Sequence, residues 1–200
     1  MKRIVGTTLV LGTAVVLAAC SASDPGKPKP ESTPTRTSAT AGTGTTSTST
    51  SGGPALDIAK YRTAQCDILK ADQLSGLGQI RAPEATRTDA GPSCKYAGKD
   101  SLANSTYEIV FAVGNGAYED VLANSKKAVF YEEVTVAGRK AVNADVYGQN
   151  RDCSTAISTG AKDSVLVAIS VAKNDRTAAA EKPCALTERL GAIVVANLGG

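Results

Sequence analysis

From Thr106 to Val113 apolar and polar positions alternate. Tyr107, Ile109, Phe111 and Val113 fall on one side, and Thr106 and Glu108 on the other. A period of two predicts a strand with one buried face. Phe130 to Val136 alternates again, placing Phe130, Val134 and Val136 inward while Glu133 and Thr135 face water. Ala137-Gly138 predicts a tight turn, and Arg139 to Val146 returns as the partner strand. Cys153 to Ser158 and Ser164 to Ala172 predict a second hairpin around Gly160. Its Val165, Val167, Ile169 and Val171 make the richest apolar face in the chain. Such a face suits a packed core or a ligand pocket equally well.

Helical spacing appears three times. Lys70 to Leu77 reads as a short helix stopped by Gly78, and Ala117 to Lys127 as a helix with Tyr118, Val121 and Leu122 inward. Cys184 to Leu198 carries one stripe formed by Leu186, Leu190, Ile193, Val194 and Leu198. A helix with one apolar stripe needs a sheet to cover. The predicted fold is therefore α+β: an antiparallel sheet of about five or six strands with helices packed on it.

The N-terminus carries a different pattern. Lys2 and Arg3 precede an apolar run from Ile4 to Ala19, which is shorter than the roughly 20 residues of a membrane-spanning helix. The run closes on Leu17-Ala18-Ala19-Cys20. A basic region, an apolar region and small residues form a signal peptide, and the cysteine that follows makes a lipobox. Residues 1–19 are expected to be removed and Cys20 to be lipidated. Palmitate-type acyl chains would then hold the protein at the extracytoplasmic face of the cell membrane, with the bilayer as its first partner. Ser21 to about Pro54 has almost no large apolar side chain, so residues 20–54 read as a lipidated end and a flexible tether. Its Thr-rich half is also a candidate for O-linked sugars. Residues 55–200 are the size of one ordinary domain.

Charge narrows the partners. The net charge is +3, which falls to +1 once Lys2 and Arg3 are removed. No positive surplus remains to attract nucleic acid. The Lys126-Lys127 and Arg139-Lys140 pairs read as solvated faces.

Four cysteines remain beyond Cys20: Cys66, Cys94, Cys153 and Cys184. An even number in an exported domain implies disulfides. Three pairings are possible, and chain order and hairpin-like spacing favour Cys66–Cys94 with Cys153–Cys184. A zinc site needs closer pairs such as C-x-x-C, so no metal is expected.

Several short strings carry these features: Cys66-Asp-Ile-Leu69, Ser93-Cys94-Lys95-Tyr96, Val136-Ala-Gly-Arg-Lys-Ala-Val142, Cys153-Ser-Thr-Ala-Ile157 and Pro183-Cys184-Ala185-Leu186. Over residues 60–198 the chain resembles actinobacterial lipoproteins of the domain of unknown function 3558 family. One departure is Tyr96, where the resemblance implies Trp. The family brings no catalytic residues. It implies an extracytoplasmic location, supports the same cysteine pairing and is consistent with a small exported binding domain.

Catalytic chemistry is restricted because the chain has no histidine. Ser-His-Asp, Cys-His and His-zinc sites are all excluded. Ser170-Val-Ala-Lys173 matches a Ser-x-x-Lys string, but it ends a predicted strand, where i and i+3 point to opposite faces. Glu132 and Glu133 are adjacent on a strand and cannot flank one bond. Gly114-Asn115-Gly116 lacks the further glycine or lysine of a phosphate loop. The expectation is a non-enzymatic surface lipoprotein without a cofactor that binds a small ligand or an envelope protein. The alternatives are a regulator or inhibitor of an envelope enzyme or sensor, and a histidine-independent hydrolase.

Overall fold

The computed structural model describes residues 53–113, 118–148 and 150–200. Cys20, the lipobox and Gly114-Asn115-Gly116 lie outside them. Seven strands form one antiparallel sheet: β1 (Glu84–Thr88), β2 (Gly91–Tyr96), β3 (Thr106–Ala112), β4 (Phe130–Val136), β5 (Arg139–Asp145), β6 (Asp152–Ser158) and β7 (Ser164–Ser170). The spatial order is β1-β2-β3-β7-β6-β5-β4. Two meanders, β1 to β3 and β4 to β7, therefore join where β3 pairs β7 across seven positions, from Thr106↔Ser170 to Ala112↔Ser164. Among the described residues, four α-helices and two short 3-10 helices accompany the sheet, the former being α1 (Ala71–Ser75), α2 (Tyr118–Ser125), α3 (Arg176–Ala180) and α4 (Pro183–Asn197).

Seven strands exceed the five or six predicted, and the reason is local. β1 reads Glu-Ala-Thr-Arg-Thr and has no apolar face to detect. β2 opens on Gly91-Pro92, a pair that signals a turn. Pro92 is tolerated because it pairs only Arg87 of β1, while the ladder to β3 begins at Ser93↔Val110. Phe130 also departs from expectation: it is 43% exposed rather than inward, because no described residue covers the first half of β4.

One sheet face is sealed. α4 lies across it with Leu186, Leu190, Val194 and Val195 buried against Ile157, Val165 and Val167. Ile193, expected inward, is only half-buried, and Val195 fills the deeper place. Gly191 lets the helix approach, since a Cβ there would stand 2.6 Å from Ile157 Cδ1. Farther along, Tyr61 stacks on Phe111 with ring centroids 5.4 Å apart. A polar chain also fixes the helix. Asn143 Nδ2 donates to Glu188 at 2.6 Å, Thr155 Oγ1 donates to Asn143 Oδ1 at 2.7 Å, and the Thr155 and Thr187 hydroxyls share a hydrogen bond of 2.6 Å. Asn143, Thr155 and Thr187 are fully buried, so satisfied partners are what make their burial tolerable.

The two disulfides join Cys66 to Cys94 and Cys153 to Cys184. Cys94 and Cys153 belong to the α4 face, so both bonds staple elements to that side. The core and both disulfides lie between Leu56 and Leu198, inside a compact unit running from Thr46 to Gly200. That unit holds its own core and staples, which is what a separately folding domain requires. Its start is pinned: Leu56 N–H donates to the Thr159 carbonyl at 2.8 Å, and Arg139 Nη2 donates to the Pro54 carbonyl at 2.6 Å.

Candidate functional site

The opposite sheet face is built from smaller side chains. Tyr131↔Ala144, Ala144↔Ser154, Ser154↔Ala168 and Ala168↔Glu108 form one row across it. The next row holds Val142, Ala156, Leu166 and Val110. Strand alternation puts these residues on the side away from α4. The helix on this side is α2, only eight residues long. It buries Tyr118 against Val142 and Ala156, with Val121, Leu122 and Leu166 half-buried around them.

A short helix over a floor of alanines leaves space. One hollow of about 500 Å³ lies between α2 and the floor formed by Ala112, Val142, Ala156 and Leu166. A second of about 500 Å³ lies farther along the same face, over Ala168, Ser154 and Glu108. Ala144, Val146 and Ser154 line both, so the two hollows make one trough. Each falls within the roughly 300–1,000 Å³ of ordinary ligand sites.

The trough has an apolar lip where its two halves meet. Val146 is 64% exposed, Tyr147 72% and Val129 74%, and the exposed Tyr131 adjoins them, while Phe130, paired with Asp145, faces the other side of the sheet. Contiguous exposed apolar side chains are uncommon on a monomer surface. The loop holding the first two is fixed by Asp145. Its Oδ1 accepts from the N–H groups of Tyr147 and Gly148 at 2.9 and 2.8 Å, and its Oδ2 from Asn150 N–H at 3.3 Å. Gly148 closes the lip against Val129; a Cβ there would stand 2.7 Å from Val129 Cγ1. Gly148 also has φ 65°, the left-handed region that favours glycine.

The rim is acidic. Asp89 and Asp120 stand with Lys127 around the first hollow, and Glu108 and Asp152 with Lys95 around the second. Among the described residues the one ion pair within 4 Å is Arg189–Glu181, far from this rim in sequence and on another element. Glu108 accepts from the Ser93 hydroxyl at 2.9 Å.

Most residues singled out in sequence are placed elsewhere, although Ile169 and Ser170 also border the second hollow. Val165, Val167 and Ile169 line the core beneath α4, which settles the choice between core and pocket for that face. Ser170 is exposed at the end of β7, Lys173 is exposed in the segment after it, and no hydrogen bond joins them. Glu132 pairs Asn143 and Glu133 pairs Val142, so the two carboxylates point to opposite faces. No group of three metal-ligating side chains occurs among the described residues. No helix there is long and apolar enough to cross a membrane.

Two polar sites were not foreseen. Ser105 is buried; its hydroxyl donates to Asp175 Oδ2 at 2.7 Å, and Asp175 Oδ1 accepts from Ala178 N–H at 2.9 Å, capping α3. Burial works to raise the Asp175 pKa, but hydrogen bonds from Ala178, Ser105 and Thr177 outweigh it and hold the carboxyl below its ordinary value. Tyr96 is fully buried and its hydroxyl has no partner among the described residues. Burial, with Asp67 adding to it, pushes its pKa far up.

No curated protein and no solved structure matches the chain. The family described as "Protein of unknown function (DUF3558)" matches residues 15–197, nearly the whole sequence and all seven strands, and the chain belongs to that family.

Proposed function

We propose that this chain is a membrane-anchored surface lipoprotein whose domain is a non-enzymatic binding module at the cell envelope. In this reading Cys20 carries the acyl anchor and the Ser/Thr/Gly/Pro-rich stretch is the tether. The observation that carries the binding reading is the trough: two joined hollows of about 500 Å³ each, opening on exposed Val146 and Tyr147. Keeping such apolar area in water costs roughly 25 cal/mol per Å², so an occupant that covers it is favoured.

The position of the lip supports the same reading. The chain enters the domain at Pro54, held by Arg139 beside the Ala137-Gly138 turn. The lip sits at the other end of the same hairpin, a strand length of roughly 20 Å away. The binding end is thus remote from the point of attachment.

Native mass spectrometry of the domain, released by protease from its own host's membranes, tests the proposal. A discrete non-covalent added mass is expected; a bare domain would overturn the binding reading. Replacing Cys20 with Ala is expected to release the protein from membranes, and continued membrane association would overturn the anchor.

A further inference from the structure

The trough's chemistry selects a class of occupant, a deduction that rests on the binding reading above. The floor is the sheet itself. Its backbone groups are already spent between strands through Ala144↔Ser154, Ser154↔Ala168 and Ala168↔Glu108. In the first hollow the side chains above them are alanines, Val142 and Leu166; in the second, Ala144 and Ala168 stand beside Ser154, whose hydroxyl donates to the Ala144 carbonyl at 3.4 Å, and Thr106, Glu108 and Ser170 edge the floor. A peptide laid along the floor of alanines, Val142 and Leu166 would leave most of its own N–H and C=O groups without partners, at about 1–3 kcal/mol each. A polymethylene chain has no such groups to satisfy and gains from burial in proportion to its area.

The dimensions suit such a chain. Along β3 the trough runs from Ala112, in the first hollow, to Thr106, in the second. Six residue steps of strand measure roughly 20 Å, the length of an extended chain of about 15 carbons. A bulky ring system would need width instead, and α2 restricts width over Val142 and Ala156.

The rim then selects the head group. Asp89, Asp120, Glu108 and Asp152 stand against Lys127 and Lys95. Asp145, at the second hollow, is committed to three backbone N–H groups. An anionic head would meet a surplus of carboxylates, while a cationic or neutral one would not. The geometry points to a single-chain amphiphile without net negative charge, its aliphatic tail lying on the alanine floor and entering past Val146 and Tyr147.

The test uses the folding unit from Thr46 to Gly200 and three probes that share one tail: dodecyltrimethylammonium, dodecyl maltoside and dodecyl sulfate. Each is titrated below its aggregation concentration with far-UV circular dichroism unchanged. The first two are expected to bind one-to-one and about tenfold or more tighter than the sulfate. Ala168→Phe, which fills the second hollow, is expected to weaken both by about tenfold. Val146→Asp, on an exposed lip position where folding is not at stake, is expected to weaken both by a few-fold. Asp120→Lys together with Asp89→Lys is expected to close the gap to the sulfate.

Equal affinity for all three probes would overturn the head-group assignment. Binding untouched by both Ala168→Phe and Val146→Asp would overturn the trough as the site. If no probe binds while the native domain still carries an added mass, the amphiphile is wrong and the binding reading stands. If the native domain is bare as well, both fall.

Discussion

On the α4 side the central strands present Ile109, Phe111, Ile157, Val165 and Val167, all almost completely buried. On the α2 side the same run of strands presents Ala144, Ser154, Ala156 and Ala168. The backbone is shared, so side-chain size and cover make the difference. The large side chains interdigitate with a fifteen-residue helix, two disulfides and a buried polar chain. The small ones are covered only in part by an eight-residue helix and leave a trough. The closed face carries the stability, and the open face leaves a trough uncovered.

That division is open to attack where it is strongest. Replacing Cys153 and Cys184 together with Ala removes a bond that closes a loop of 31 residues. The chain-entropy relation puts the loss near 3.5 kcal/mol, readable as a fall in the urea midpoint. A loss under about 1 kcal/mol would show that the staple is dispensable to the closed face.

Matched truncations sharpen the contrast. Leu190→Ala beneath α4 is expected to cost about 3 kcal/mol. Leu122→Ala on α2, half-buried beside the trough, is expected to cost about 1 kcal/mol. Equal losses would erase the distinction between the faces.

At the margin of the closed side, Asp175→Ala removes the α3 cap and is expected to cost about 1 kcal/mol at neutral pH. The folded-state pKa of Asp175 is depressed, so its contribution is present above the unfolded value of about 3.9 and is lost as pH falls through the folded value. The stability gap between wild type and variant should therefore narrow in acid. A gap constant with pH would mean that the carboxylate charge is irrelevant.

The smallest effect is a gain. Tyr96→Phe removes one of the two buried hydroxyls, with that of Thr159, that have no partner among the described residues, and is expected to raise stability by up to about 1 kcal/mol. A clear loss would reveal a hydrogen bond or bound water at that oxygen.

Legibility in the sequence followed side-chain size. β3, both predicted hairpins and α4 were readable because large apolar residues repeat at the period of their element. β1 and β2 were not: one has no large apolar side chain, and the other opens on Gly91-Pro92. α3 has five residues and no apolar stripe, and its capping partner Ser105 lies 70 residues away. The trough was the least legible part. Alanine and serine at alternate strand positions give almost no hydrophobic signal, and nothing local tells a thin floor from a solvated face.

By itself the sequence determined the α+β class, the four cysteines available for pairing and the exclusion of histidine chemistry, and it set the expectation of a lipobox ending at Cys20. Each of these depends on residue identity or on spacing within a few turns of chain. Tertiary structure alone decided which face α4 would cover and which would stay open. It brought Val146 and Tyr147 to the lip and gathered Asp89, Asp120, Glu108 and Asp152 around one trough. Those positions are fixed by strand pairing between residues far apart in the chain, and no local pattern encodes which strand will be a neighbour.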